Sequence, residues 1–70
     1  MPQFDPQLIQ VMRDALEAVM TKVPTEHATP AVKGYLAECI LKAAAQGQTT
    51  FDGLVAAAAD QIHAIVSLLT

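Results

Sequence analysis

Residues 29–47, TPAVKGYLAECILKAAAQG, contain the start, the buried stripe and the end of one helix. The hydroxyl of Thr29 can accept a free N–H of the first turn, and Pro30 supplies a helical φ where its missing donor costs nothing. Apolar residues then recur every three or four positions, which is the spacing of one helix face. Gly47 follows as the residue type that most readily adopts the left-handed conformation that ends a helix. The stretch predicts a helix over about residues 30–46.

The segment before this helix begins in the same way. Asp5 precedes Pro6, so a capping side chain again stands next to a proline at the first helical position. The residue before a proline avoids the helical region, and Val23 is such a residue. A first helix is therefore predicted over about residues 6–22.

A third helix is predicted over about residues 50–69, beginning near Thr49 or Thr50. Thr49 and Asp52 have the spacing of a capping box, with Asp in place of the usual Glu. Apolar residues continue at helical spacing to the end of the segment, so the helix is expected to be unbroken.

Each predicted helix has one apolar stripe, and the three stripes are expected to form a single core. The stripe residues are Leu8, Met12, Ala15, Leu16, Val19 and Val23 in the first helix, Val32, Leu36, Cys39, Ile40 and Ala43 in the second, and Phe51, Val55, Ala58, Ile62, Ile65, Val66 and Leu69 in the third. No stretch alternates apolar and polar residues as a half-buried strand does. The sequence therefore predicts one all-α domain over residues 1–70, a three-helix bundle that is up-down-up or has one crossing helix.

The charge and hydropathy pattern argues against nucleic-acid and membrane partners. The formal net charge is −3, and the four basic residues are dispersed rather than clustered as a phosphate backbone requires. The longest unbroken apolar run is Leu54–Ala59, far shorter than the roughly 20 residues of a membrane span. The N-terminus lacks the pattern of a secretory signal, and the single cysteine fits a reducing compartment. A cytoplasmic location is expected.

The residues with potential for chemistry are few and far apart. Cys39, His27 and His63 do not have the spacing of a zinc site, and Cys39 lies inside an apolar stripe, which indicates a structural thiol. Asp14 and Glu17 share an outer helix face, which does not enclose carboxylates as catalysis requires. The prediction is that the protein is not an enzyme and has no catalytic residue, metal site or cofactor.

A DNA-binding regulator is the alternative function. The second and third helices, joined through Gly47, loosely resemble a helix-turn-helix. The third helix contains no Arg or Lys, although a recognition helix must present donors and cations to bases and phosphates. The charge pattern therefore favours another function.

One resemblance accompanies these patterns. Phe4-Asp5-Pro6 and residues 36–47, LAECILKAAAQG, resemble short uncharacterised helical proteins of alphaproteobacteria. The resemblance covers the first two helices. It implies a bacterial, cytoplasmic origin, and because that family has no assigned activity it implies no function.

The function expected from the sequence is protein–protein contact, with a homodimer as the simplest form. A short chain with apolar residues away from its main stripes can bury them against a copy of itself. The candidate interface residues are Leu41, Gly53, Ala57, Ala64 and Leu68, on the second and third helices. Three alternatives remain open: these residues belong to the core of one chain, they bind an unknown protein, or a small ligand occupies a pocket.

Overall fold

The structure is a computed structural model that describes residues 5–69, with the backbone alone at Leu69. Within that range the chain forms four α-helices, α1 (Pro6–Met20), α2 (Pro30–Ala45), α3 (Phe51–Ala59) and α4 (Ile62–Leu69), and a 3₁₀ turn at Thr25–His27. Helices α1, α2 and α3 pack against one another, and residues 5–69 contain no strand. The predicted all-α three-helix bundle is confirmed.

The first three helices begin with the same hydrogen bond. In each, the side-chain oxygen of the residue before the helix accepts the N–H of the third residue further along, which satisfies one free donor of the first turn. The bonds are Leu8 to Asp5 at 2.7 Å, Val32 to Thr29 at 3.3 Å and Gly53 to Thr50 at 3.1 Å. The third cap is Thr50, so the capping box expected at Thr49 and Asp52 is wrong by one residue.

Helix α2 ends as the sequence predicts, at a left-handed glycine. Gly47 has a φ of 104°. Its N–H donates to the carbonyl of Ala44, and the N–H of Gln48 donates to the carbonyl of Ala43, both at 3.0 Å. These two bonds make a Schellman motif, which satisfies carbonyl groups that the helix end would leave free.

The predicted third helix is interrupted. Helix α3 ends at Ala59 and α4 begins at Ile62, with the N–H of Gln61 donating to the carbonyl of Ala58 at 3.0 Å in a tighter turn than an α-helix has. Asp60 lies at this break, and aspartate is among the weaker helix formers because its side chain competes for backbone hydrogen bonds. The expectation of one unbroken helix over 50–69 is therefore wrong at residues 60–61.

The three bundle helices follow an up-down-up order. Glu17 pairs with Lys33, whereas Ile9, at the other end of α1, shares a groove with Leu41, further along α2, so α1 and α2 run antiparallel. Helices α2 and α3 are also antiparallel, because they are joined by the short turn at Gly47 and pack along each other.

The core lies where the stripes of α1, α2 and α3 meet. The buried apolar residues are Met12, Ala15, Val19, Val23, Val32, Leu36, Ile40, Ala44, Leu54, Ala58 and Ile65. Most were predicted, but Leu54, which is fully buried, and Ala44, at 6% exposure, were not, and Phe51, predicted in the stripe, is 42% exposed. Helix α3 sits between two helices and buries the line through Leu54 and Ala58, which displaces Phe51 from the core. The side chain of Leu69 lies outside the described residues.

Candidate functional site

An open apolar groove lies between α1 and α2. Its volume is about 300 Å³, and it is lined by Ile9, Met12, Arg13 and Leu16 of α1 and by Ala37, Ile40 and Leu41 of α2. Met12 and Ile40 are buried and form its floor. Ile9 and Leu41 form its walls and are 43% and 45% exposed. Two large apolar side chains therefore flank a depression that is itself apolar.

The groove exists because a small residue lies between large ones. Ala37 leaves space on α2 between the levels of Lys33 and Leu41, and the antiparallel α1 does not fill that space. Beyond Leu16 the two helices are joined by an ion pair, with Lys33 Nζ at 3.4 Å from Glu17 Oε1. Both side chains of the pair are exposed, so it contributes at most about 1 kcal/mol.

Arg13 is the one charged residue in the lining of the groove. Its sequence spacing to Glu17 fits an i,i+4 pair, but Glu17 pairs with Lys33 on the neighbouring helix. Within residues 5–69 the ion pairs are Lys33–Glu17 and His27–Glu26, so Arg13 has no carboxylate partner there. The groove thus combines apolar walls with one unpaired cation.

The five interface residues predicted from the sequence do not lie on one surface. Leu41 is a wall of the α1–α2 groove, whereas Ala57 lines a depression between α2 and α3. Gly53 is half-buried beneath the side chain of Gln48, with which a Cβ at this position would collide. Ala64 and Leu68 are exposed on α4. The candidate residues thus fall in three places. Leu41 lies in the α1–α2 groove, Gly53 and Ala57 lie near Gln48 between α2 and α3, and Ala64 and Leu68 lie on α4.

Helix α4 has the most exposed large apolar side chain of the described residues. Leu68 is 87% exposed, and Ala64, one turn before it, is also exposed. Ile65 is buried, at 8% exposure, and Ile62 and Val66 are half-buried. One side of α4 therefore holds the helix against the bundle, and the other side presents Leu68 to solvent.

A second cleft lies where α4 meets the end of α1. It has a volume of about 410 Å³ and is lined by Lys22, Pro24, Ala59, Ile62, His63 and Val66. This position fixes α4 near the C-terminal end of α1, whereas the α1–α2 groove involves the N-terminal and middle turns of α1.

The chemically reactive side chains remain separate in the fold. Cys39 is half-buried, less than its place in the stripe predicts, and burial raises the pKa of its thiol, which disfavours the nucleophilic thiolate. His63 is exposed, and His27 lies in the 3₁₀ turn with Nε2 at 3.9 Å from Glu26. Within residues 5–69 no group of three or more His, Cys, Asp or Glu side chains is close enough to hold a metal ion.

One segment is long and apolar enough to cross a membrane, judged by length and composition alone. It is Phe51–Leu68, with a mean hydropathy of 1.2, and 17% of it is buried. The segment spans α3, the break at Asp60 and most of α4. Most residues of this apolar segment are therefore not fully buried in the fold.

Sequence reasoning missed the groove itself. In the sequence, Ile9 widens the edge of the first apolar stripe and Arg13 falls on the opposite, polar face, so apolar periodicity alone gives no reason to group them. The signal was the i,i+4 spacing of the two residues on one edge of α1, but its meaning depends on which part of α2 lies opposite.

No known protein family matches the chain, and no curated protein or solved structure is significantly similar to it.

Proposed function

We propose that this chain is a small, non-enzymatic protein–protein interaction module that binds a helix in the groove between α1 and α2. The groove carries the proposal, because its lining is apolar apart from Arg13 and its exposed walls, Ile9 and Leu41, can grip an apolar side chain. An amphipathic helix in an apolar groove is a common mode of peptide recognition. A polar metabolite would find few groups to pair with there.

The simplest partner is a second copy of the chain, giving a homodimer. Among the side chains that the structure describes, five large apolar ones are exposed: Ile9, Tyr35, Leu41, Phe51 and Leu68. Removing one leucine from water contributes about 1.5–3 kcal/mol, whereas the core of a domain this small rarely supplies more than ~3–5 kcal/mol. Association would therefore stabilise the fold by an amount comparable to its own stability.

The proposal includes a cytoplasmic location in a bacterium. The single free thiol, Cys39, supports the compartment, since secreted domains of this size usually rely on disulfides, and the bacterial origin rests on the resemblance to alphaproteobacterial proteins. The absence of Lys and Arg from residues 51–70 supports a protein partner rather than DNA or an anionic membrane surface.

Sedimentation velocity over a range of concentrations tests the proposal. The wild-type chain is expected to approach twice its monomer mass of 7.4 kDa as concentration rises. Leu41→Glu places a charge in the groove wall and is expected to weaken the dimer at least about tenfold while the helical signal persists.

Ala31→Glu is the matched control, because it adds the same charge at an exposed position of α2 outside the groove. Its dimerisation is expected to equal that of the wild type. A wild-type chain that stays monomeric at high concentration would contradict self-association, and capture of a helical peptide through Leu41 would then define a foreign partner.

A further inference from the structure

Helix α4 offers an apolar side chain that its own chain does not cover. Leu68 is 87% exposed, and the segment Phe51–Leu68 is apolar yet only 17% buried. Residues 62–69 contain no Asp, Glu, Lys or Arg, and His63 is the one titratable residue among them. An exposed leucine beside Ala64 and Ser67 is the shape of a knob between small neighbours.

The α1–α2 groove offers the complementary shape in the same chain. Ile9 and Leu41 rise on either side of a floor made by Met12 and Ile40, which leaves room for one bulky apolar side chain. One molecule thus contains both an exposed leucine, Leu68, and an open apolar groove between α1 and α2.

The α4 of one chain is held away from its own groove. It lies beside Lys22 and Pro24, at the C-terminal end of α1, whereas the groove is centred near Arg13. Arg13 lies seven residues before Met20, the last residue of α1, which corresponds to roughly 10 Å at 1.5 Å per residue, and Lys22 and Pro24 lie beyond that end. The same contact can form between two copies without moving α4 from its place.

Building on the homodimer proposed above, we infer that Leu68 of each copy occupies the α1–α2 groove of the other. The charges agree with this arrangement. Inserting Leu68 brings the carbonyl end of α4 toward Arg13, and the last turn of α4 contains no basic residue to oppose that cation. A helix end of this polarity favours a positive charge nearby.

The contact joins two different surfaces, so its symmetry matters. A knob-to-groove contact made once leaves a free knob and a free groove and would extend into a chain of molecules. Two such contacts related by a two-fold axis close the pair and double the buried area. The dimer is therefore reciprocal: Leu68 of each copy fills the groove of the other.

A mixing experiment distinguishes this arrangement from the others. In Leu68→Glu the knob is lost and the groove is intact, whereas in Leu41→Glu the groove is damaged and the knob is intact. Each variant alone is expected to dimerise at least about tenfold more weakly than the wild type. An equimolar mixture is expected to dimerise more tightly than either variant alone, because a mixed pair regains one intact contact.

Ala31→Glu is the matched control, since it adds the same charge at an exposed position of α2 outside the groove, and it is expected to dimerise like the wild type. Circular dichroism checks that each variant keeps its helices. If Leu41→Glu loses them, Ile9→Glu replaces it, because Ile9 is the opposite wall of the groove.

The failures are distinguishable. A monomeric wild type overturns the homodimer and this inference together. A wild-type dimer that Leu68→Glu leaves intact, or variants whose mixture stays as weak as its components, overturns only the pairing of α4 with the groove. Binding of the wild type, but not Leu68→Glu, to phosphatidylcholine vesicles without dimerisation would assign Leu68 to a membrane and overturn it as well.

Discussion

Gly34 and Gly47 differ in backbone conformation: Gly34 lies within the helix α2, and Gly47 lies in the turn that follows it. A Cβ added at Gly34 would meet no atom within 4 Å, inside a helix, whereas Gly47 has a φ of +104° that L-residues rarely adopt. Gly34→Ala is expected to raise the free energy of unfolding by about 0.5–1 kcal/mol, because alanine loses less backbone entropy in a helix. Gly47→Ala is expected to lower it by about 1–2 kcal/mol through backbone strain.

Urea denaturation at one fixed protein concentration measures both changes. The two substitutions add the same methyl group, so their opposite signs isolate the backbone conformation as the cause. A stabilising Gly47→Ala would mean that the Schellman motif does not hold the end of α2.

Residues governed by near neighbours could be predicted from the sequence, and residues governed by packing could not. Asp5 and Thr29 cap their helices as expected, because a cap depends on the next three residues. Phe51, predicted in the core, is exposed, and Leu54, which the predicted stripe omits, is buried, because the face that α3 buries is set by its position between α1 and α2.

At the scale of the element, Thr49 and Thr50 at the start of α3 differ in their role, since Thr50 is the residue that caps the helix. The hydroxyl of Thr50 accepts the N–H of Gly53 at 3.1 Å, so Thr50→Val is expected to cost about 1 kcal/mol of unfolding free energy. Thr49→Val is the isosteric control and is expected to change stability by less than about 0.5 kcal/mol, as surface substitutions usually do. Thermal unfolding followed at 222 nm compares the two, and a larger loss from Thr49→Val would restore the capping box that the sequence predicted.

The break between α3 and α4 could not be located from periodicity. Ile62, Ile65 and Val66 continue the spacing of Val55 and Ala58 closely enough that residues 60–61 fit either a helix or a turn. Asp60 gives only a weak preference, and contacts between α4 and the rest of the fold decide the outcome.

At the scale of the molecule, the charge distribution predicts an outcome with nucleic acid. The connection from α2 to α3 is short enough for a helix-turn-helix, but α3 contributes Asp52 and no cation to its exposed side. With a net charge of −3, the chain is expected to give no mobility shift of duplex DNA at physiological salt. A micromolar shift that weakens steeply with added salt would contradict this and favour the DNA-binding alternative.

The groove belongs to this scale as well. The sequence identifies Leu41 and Leu68 as apolar residues away from the main stripes, which is a property of each helix alone. It does not identify Ile9 as the neighbour of Leu41, because that contact depends on the antiparallel register of α1 and α2. Periodicity could therefore predict the candidate residues Leu41 and Leu68, but it could not predict which residues of other helices they lie beside.

The hydrogen bond from Tyr35 to the break gives the molecule an internal optical probe. The chain contains one tyrosine and no tryptophan, so its tyrosine fluorescence comes from a single known place. The hydroxyl of Tyr35 donates to Oε1 of Gln61 at 3.4 Å, across from α2 to the junction of α3 and α4. Tyrosine emission from the unlabelled protein therefore reports on whether the junction of α3 and α4 keeps its contact with α2, and so on the attachment of α4.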